Sequence, residues 1–215
     1  MVYPMTKPVK RAYDASRRRA QAQETQRAIL RAAHDLFVER GYGRTTIAQV
    51  AERAGVSPET IYATFKNKAT LLHRTWDVTV GGDDEEVVFH ERPEAMEVRA
   101  EPDLAKRLMM QARLSTATAR RMTPFVRSVQ GAAASEPSAA AMAAEMERQR
   151  LDGISVMAGE AAATGRLKVS EDQCRDIVWA MTDGHLWHQL VIERGWSDEQ
   201  YADWLGRTWV SHLVL

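Results

Sequence analysis

With 215 residues, 45% of them hydrophobic and 27% charged, the chain is long enough to bury the core of one domain or two small ones, and its balance is that of a soluble globular protein. The net charge of zero hides an asymmetry: residues 1–74 carry 14 Lys and Arg against 6 Asp and Glu, residues 75–215 carry 15 against 23, so a polyanion would meet the first third of the chain. The lone Cys174 excludes an internal disulfide and argues against a cysteine metal site, and the absence of any apolar run near the roughly 20 residues of a membrane span, or of a secretory signal in MVYPMTKPVKRAYDASRRR, predicts a cytoplasmic location with no membrane partner.

Residues 1–22 hold Lys7, Lys10, Arg11, Arg17, Arg18 and Arg19 with almost no apolar periodicity. They read as a flexible basic arm, either reaching phosphates and the minor groove of a duplex or staying a solvated tail. From about Glu24 to Arg40, Ile29, Leu30, Ala33, Leu36 and Phe37 recur at helical spacing and Gly41 stands at the C-cap position. Thr45 or Thr46 can cap a short second helix that turns Ile47, Val50 and Ala51 inward and ends at Gly55. Ser57 caps a third, with Pro58 at the first position, where the missing N–H costs nothing. Two short helices joined by a tight turn make a helix-turn-helix, and residues 23–70 form that unit.

A fourth helix is expected from Lys68 to about Val80, stopped by Gly81 and Gly82, and the acidic stretch 83–103 as a loop with at most a short helix. Asp103 opens a helix to about Met122, and Pro124 starts a short one of its own. The Ala- and Met-rich segment Pro137 to Ala163 forms one long helix closed by Gly165, Ser170 begins another that runs to about Glu193, and after Gly195 the last runs from Ser197 to about Leu213. The alternation at 87–90 is too short to seed a sheet. The expected fold is all-α: an N-terminal three-helix helix-turn-helix DNA-binding domain followed, over residues 71–215, by a C-terminal helical ligand-binding and dimerisation domain.

The stretch TTIAQVAERAGVSPETIYATFKNKATLL, residues 45–72, resembles the DNA-binding domain of the TetR/AcrR family of repressors, through its Thr-Thr start, Ala-Gly-Val-Ser turn, Thr-Ile-Tyr core and following Phe, Asn-Lys and Leu-Leu. The C-terminal LVIERGWSDEQYADWLGRTWVSHLV looks like the end of many members of that family. Spacing alone supports the same arrangement, since Ile61 and Phe65 lie four apart on the face that packs on the first helix. The opposite face offers Pro58, Glu59, Thr60, Ala63 and Thr64, short side chains that let a helix sit deep in the major groove. The resemblance implies phosphate contacts from Thr46, Thr60, Tyr62 and Lys68, and Thr45, Ser57 and Lys66 complete the candidate set for double-stranded operator DNA. Glu59 places an acid on that face, either to accept from a cytosine amino group or to complement the helix dipole.

A helix-turn-helix of this size reads few base pairs, so a homodimer with reading helices about 34 Å apart is expected. Five of the six tryptophans fall after residue 178, and the resemblance implies dimerisation through the last two helices, for which Trp187, Tyr201, Trp204, Leu205, Thr208, Trp209 and His212 are candidates. Eight of ten methionines follow residue 95, the composition of an adaptable apolar pocket. Trp76, Met110, Arg113, Met146, Gln149, Trp179, Asp183 and His188 are candidates to line it and orient an apolar or amphipathic effector. No catalytic motif or cofactor signature is present in the sequence. Two alternatives stand beside the ligand-responsive repressor: a DNA-binding repressor or architectural protein without effector, and a metal-dependent helical enzyme built on Asp183, His185 and His188. The second suffers because Asp183 lies about 140° from His188 around a helix.

Overall fold

The first core forms where the short helices converge. In a computed structural model that describes residues 10–81 and 92–215, with side-chain environments from residue 17 onward, α1 (Lys10–Arg40) buries Ile29, Ala33, Leu36 and Phe37 against α2 (Ile47–Ala54), α3 (Pro58–Phe65) and α4 (Lys68–Gly81). The start signals act as expected. Thr46 accepts from the Gln49 N–H while the Gln49 side chain accepts from the Thr46 N–H, a reciprocal capping box, and Ser57 accepts from the Thr60 N–H. Gly55 ends α2 in the left-handed region, at φ +68°, where a side chain would be strained.

Helix α1 starts well before the expected Glu24. Residues 10–22, taken from sequence as part of a flexible arm, are helical, and Arg17 to Glu24 are exposed throughout. The segment RRRAQAQ buries nothing, so it shows no apolar period, yet Arg, Ala and Gln are strong helix formers and extend the helix from its packed half. Residues 1–9 of that arm lie outside the described residues.

Beyond α4, α5 (Pro93–Ala100) is the short helix allowed within the acidic stretch, whose residues 82–91 lie outside the described part of the chain. Next come α6 (Leu104–Ala132), α7 (Pro137–Ala162), α8 (Glu171–Met181), α9 (His185–Trp187) continuing as a π-helical stretch His188–Glu193, and α10 (Asp198–Leu213). The described residues contain no strand, only one antiparallel bridge between Leu167 and Val214.

Two expected boundaries fall elsewhere. Pro124 does not divide α6. Proline in a helix interior forfeits one N–H···O bond at a cost of about 3 kcal/mol. Here both flanks are anchored, by Leu108 and Ala112 on one side and Phe125 and Val129 on the other, all buried, and Pro124 itself faces solvent. Conversely, the single helix expected from Ser170 to Glu193 is broken after Met181. Gly184 takes φ +85°, and a Cβ there would lie 2.4 Å from the Thr123 hydroxyl oxygen on α6. The chain turns because glycine alone allows that approach, and it does so beside Pro124.

The packing boundary differs from the expected break at residue 70. The N-terminal core takes in Phe125, Val129 and Ala132 of α6 and Ala139, Met142 and Met146 of α7, whereas Leu104, Leu108 and Ala112 of α6 and Ala158 and Ala161 of α7 belong to a second core with α8 to α10. Helices α6 and α7 are therefore rods common to both cores.

Candidate nucleic-acid interface

Helix α3 is fixed from behind and open in front. Ile61 and Phe65 are 1% and 2% exposed, while Tyr62 between them is 51% exposed and Glu59, Ala63 and Thr64 also face solvent. The helix thus has a packing face and an exposed face, divided where the spacing predicts. The Thr64 hydroxyl donates to the Thr60 carbonyl at 2.9 Å, which uses its one proton and leaves its lone pairs to accept. Glu59 turns back on the helix start: its own backbone N–H and the Ser57 hydroxyl hold its carboxyl below the usual carboxylate range, the dipole-complementing arrangement. Lys66 is exposed in the turn after α3 and, at φ +64°, is the one non-glycine residue in the left-handed region among those described. Asn67 then caps α4, its Oδ1 accepting from the Thr70 N–H at 2.8 Å.

Thr46, Ser57 and Tyr62 are exposed, and Pro58 and Thr60 partly so. Thr45 is different. It is 1% exposed, and its hydroxyl donates to the carbonyls of Leu36 and Gly41 at 3.1 and 3.0 Å. It cannot touch DNA from there. Its role is to fasten the end of α1 to the start of α2, and of the Thr-Thr pair only Thr46 faces outward.

Lys68 also sits apart from the free surface. Its Nζ lies 4.1 Å from the centre of the Tyr42 ring and 3.7 Å from Glu136 Oε1, and burial lowers its pKa against the opposing pull of Glu136. Tyr42 is itself 1% exposed: its hydroxyl hydrogen-bonds the Ser138 hydroxyl at 2.9 Å, and its backbone N–H donates to Ser128 Oγ at 3.0 Å. These contacts tie the α1–α2 turn to the α6–α7 corner. Sequence reasoning missed Tyr42, Ser128, Glu136 and Ser138, since partners 68 to 96 residues apart leave no local pattern.

The residues expected around an effector do not converge. Trp76 and Gln149 do meet, the indole N–H donating to Gln149 Oε1 at 2.9 Å, and Met146 is buried in the same N-terminal core. Arg113 is exposed. Trp179 is 39% exposed under the Arg150 guanidinium, and Met110 is half-buried on a distant part of α6. Asp183 is exposed and accepts from the His185 N–H, while His188 pairs with Glu193 at 3.6 Å across one turn of the π-helical stretch. Among the described residues no group of three His, Cys, Asp or Glu side chains is placed to hold a metal. A cleft of about 250 Å³ opens instead between α1, α4 and α6, walled by Leu30, Thr75 and Val78 and rimmed by His34, Asp35 and Arg121.

The expected dimer face also needs correcting. Trp187, Tyr201, Leu205 and Trp209 are at most 3% exposed, packed inside the second core of the same chain, and so cannot present a surface. Helical spacing put buried and accessible residues of α10 into one set, because an internal apolar stripe and an interface stripe share one period. Trp204, Thr208 and His212 flank that buried stripe and keep part of their surface accessible, although Trp204 also packs against the second core.

A buried scaffold that holds out one short, capped helix behind a tight left-handed turn is a helix-turn-helix. Residues 29–75 match the model of the bacterial regulatory proteins, tetR family, a similarity confined to α1–α4. The chain's similarity to the HTH-type transcriptional regulator TtgR of Pseudomonas putida is 46% identity over 61 residues, 28% of this chain and 29% of that protein. The match to this curated relative thus spans under a third of its length. Over most of the chain the fold is that of NalD, the secondary repressor of the MexAB-OprM multidrug efflux pump in Pseudomonas aeruginosa, with a TM-score of 0.66 at 19% identity, covering 91% of this chain and 98% of that one. A Saccharomonospora viridis protein solved in complex with choline is similar in fold, with a TM-score of 0.67 at 19% identity over 90% of this chain and 99% of that one. No helix among the described residues is long and apolar enough to cross a membrane.

Proposed function

We propose that the chain is a cytoplasmic, ligand-responsive transcriptional repressor that binds operator DNA as a homodimer and performs no catalysis. The observation that carries this reading is the exposed α3 face, with Tyr62 half in solvent between the fully buried Ile61 and Phe65. Tyr62, Thr46 and Lys66 meet phosphates and set the register, and Thr60, Ala63 and Thr64 face base edges. With small side chains on the reading face, apolar contact with thymine methyls contributes much of the readout.

Dimerisation uses the outer side of α10, with Trp204, Thr208 and His212, continued by the exposed Ile192. Response to an effector is supported by the way α4 is held. It is tied to α7 at Lys68 and Trp76, and to α6 where Arg121 donates to the carbonyls of Thr79 and Val80, each at 3.1 Å. Any ligand that shifts α6 or α7 shifts α4 and with it α3. The choline complex of the Saccharomonospora viridis relative supports a small-molecule effector. To have an effect, the ligand must bind the DNA-free arrangement more tightly than the DNA-bound one.

A gel-shift titration on DNA from upstream of the gene tests this. Retardation that reverses with a ligand shown by calorimetry to bind supports the reading, and unchanged retardation with every such ligand contradicts the responsive half of it.

A further inference from the structure

Lys68 is the first residue of α4, directly after the exposed Lys66 and Asn67 and at the end of α3 nearest Tyr62. Its ammonium thus follows the proposed DNA-contacting face in the chain, yet the anion it pairs with, Glu136, comes from the α6–α7 corner. Glu136 precedes α7, and its side chain makes no cap bond to that helix, so the carboxylate has no local task there. It comes instead to Lys68 at 3.7 Å, over the Tyr42 ring and close against Gly43, where a Cβ would stand 3.6 Å from Glu136 Oε1. Both side chains are mostly covered, at 23% and 33% exposure, so the pair is screened less than a surface pair would be.

Resting on the DNA-binding reading above, we infer that Glu136 acts as an internal substitute for a DNA phosphate: it occupies the Lys68 ammonium in the free protein and sets operator affinity by competing with the backbone. A cation already paired within the protein releases no counterion from DNA when the protein binds, so Lys68 contributes little to affinity until Glu136 lets it go. The rivalry also gives the α6–α7 corner a direct hold on DNA affinity. A movement that draws Glu136 away frees the cation, and one that presses it closer withdraws it. Glu136 is a positioning residue here, because it acts on DNA only through Lys68.

The test is a double-mutant cycle on the full chain with a labelled 30-base-pair duplex of mixed sequence, read by fluorescence anisotropy between 50 and 300 mM monovalent salt; phosphate contacts need no operator. In Glu136→Gln, binding tightens about fivefold to tenfold at 0.1 M salt, and the slope of log affinity against log salt steepens by about 0.9 for each Lys68 freed. Lys68→Met costs little in the native background and abolishes the whole gain when combined with Glu136→Gln. Glu136→Asp, which withdraws the carboxylate by one methylene, moves in the same direction by less, and thermal melts confirm that each variant is folded. Weaker binding or an unchanged salt slope in Glu136→Gln overturns the inference, since a carboxylate that merely holds Lys68 toward DNA predicts that result. Failure of the native chain to bind any duplex overturns instead the DNA-binding reading on which it rests.

Discussion

The indole of Trp76 donates to the side chain of Gln149, joining the middle of α4 to α7, and the same indole stacks on Phe125 of α6 at 6.0 Å between ring centres. Trp76 is thus the point where the connecting helix touches both rods that run through the two cores. Trp76→Phe keeps the ring contact and loses the N–H, and Gln149→Ala removes the acceptor. Each is expected to cost about 0.5–1.5 kcal/mol in urea unfolding, and the double variant no more than the larger single one, because they remove the same bond. Additive losses would show that the two residues act separately.

Thr45→Val separates structure from recognition. The hydroxyl that donates to Leu36 and Gly41 is buried, so its loss leaves two carbonyls short of a partner and lowers stability by about 1–3 kcal/mol. Affinity for DNA, measured by anisotropy well below the melting temperature, is expected to match the native protein. A selective loss of operator over mixed-sequence DNA would restore Thr45 to the reading face.

Gly184→Ala addresses the turn between α8 and α9. An alanine there suffers both the left-handed φ of +85° and a clash with Thr123, and together these cost about 2–4 kcal/mol. Thr123→Ala removes the hydroxyl oxygen but not the backbone strain, so the double variant should recover part of the loss in a thermal melt. Recovery of all of it would mean that the left-handed conformation carries no penalty.

Alkaline stability depends on Tyr201. Burial first, and the Asp183 carboxylate second, push its hydroxyl up to about 12. A folded-state value above the unfolded 10 means that the contribution is intact below pH 10 and is lost as pH rises towards 12, by about 1 kcal/mol at pH 11. Tyr201→Phe, which keeps the ring in the core, should flatten the fall in melting temperature between pH 9.5 and 11. An unchanged fall would place the alkaline transition elsewhere, with Tyr42, also raised by burial, as the next residue to replace.

Local signals in the sequence carried most of the helix-turn-helix. The caps at Thr46 and Ser57, the proline at the head of α3 and the glycine after α2 act within four residues, and they set those helices as the structure has them. What depends on distant contact was not legible. Nothing near Pro124 shows that burial on either side carries α6 through it, nothing near residue 184 shows that Thr123 lies against its glycine, and nothing near Glu136 points to Lys68. Four of the dimer candidates, Trp187, Tyr201, Leu205 and Trp209, are buried in their own chain for a related reason: periodicity identifies a stripe without saying whether its own core or a second chain covers it. The exposed face of α3 escaped that ambiguity because its outward residues, Glu59, Ala63 and Thr64, are small or polar and alternate with the buried Ile61 and Phe65.

The central claim, that two α3 helices on a homodimer read DNA, is tested most directly by selecting bound duplexes from a random-sequence library with the full chain and sequencing them. The account predicts enrichment of an inverted repeat whose half-sites are centred about one helical turn apart, with Thr64→Ala changing the preferred base at one symmetric position and Tyr62→Phe weakening all sequences alike. A library that emerges without an enriched repeat, while the protein is folded and at saturating concentration, would contradict it.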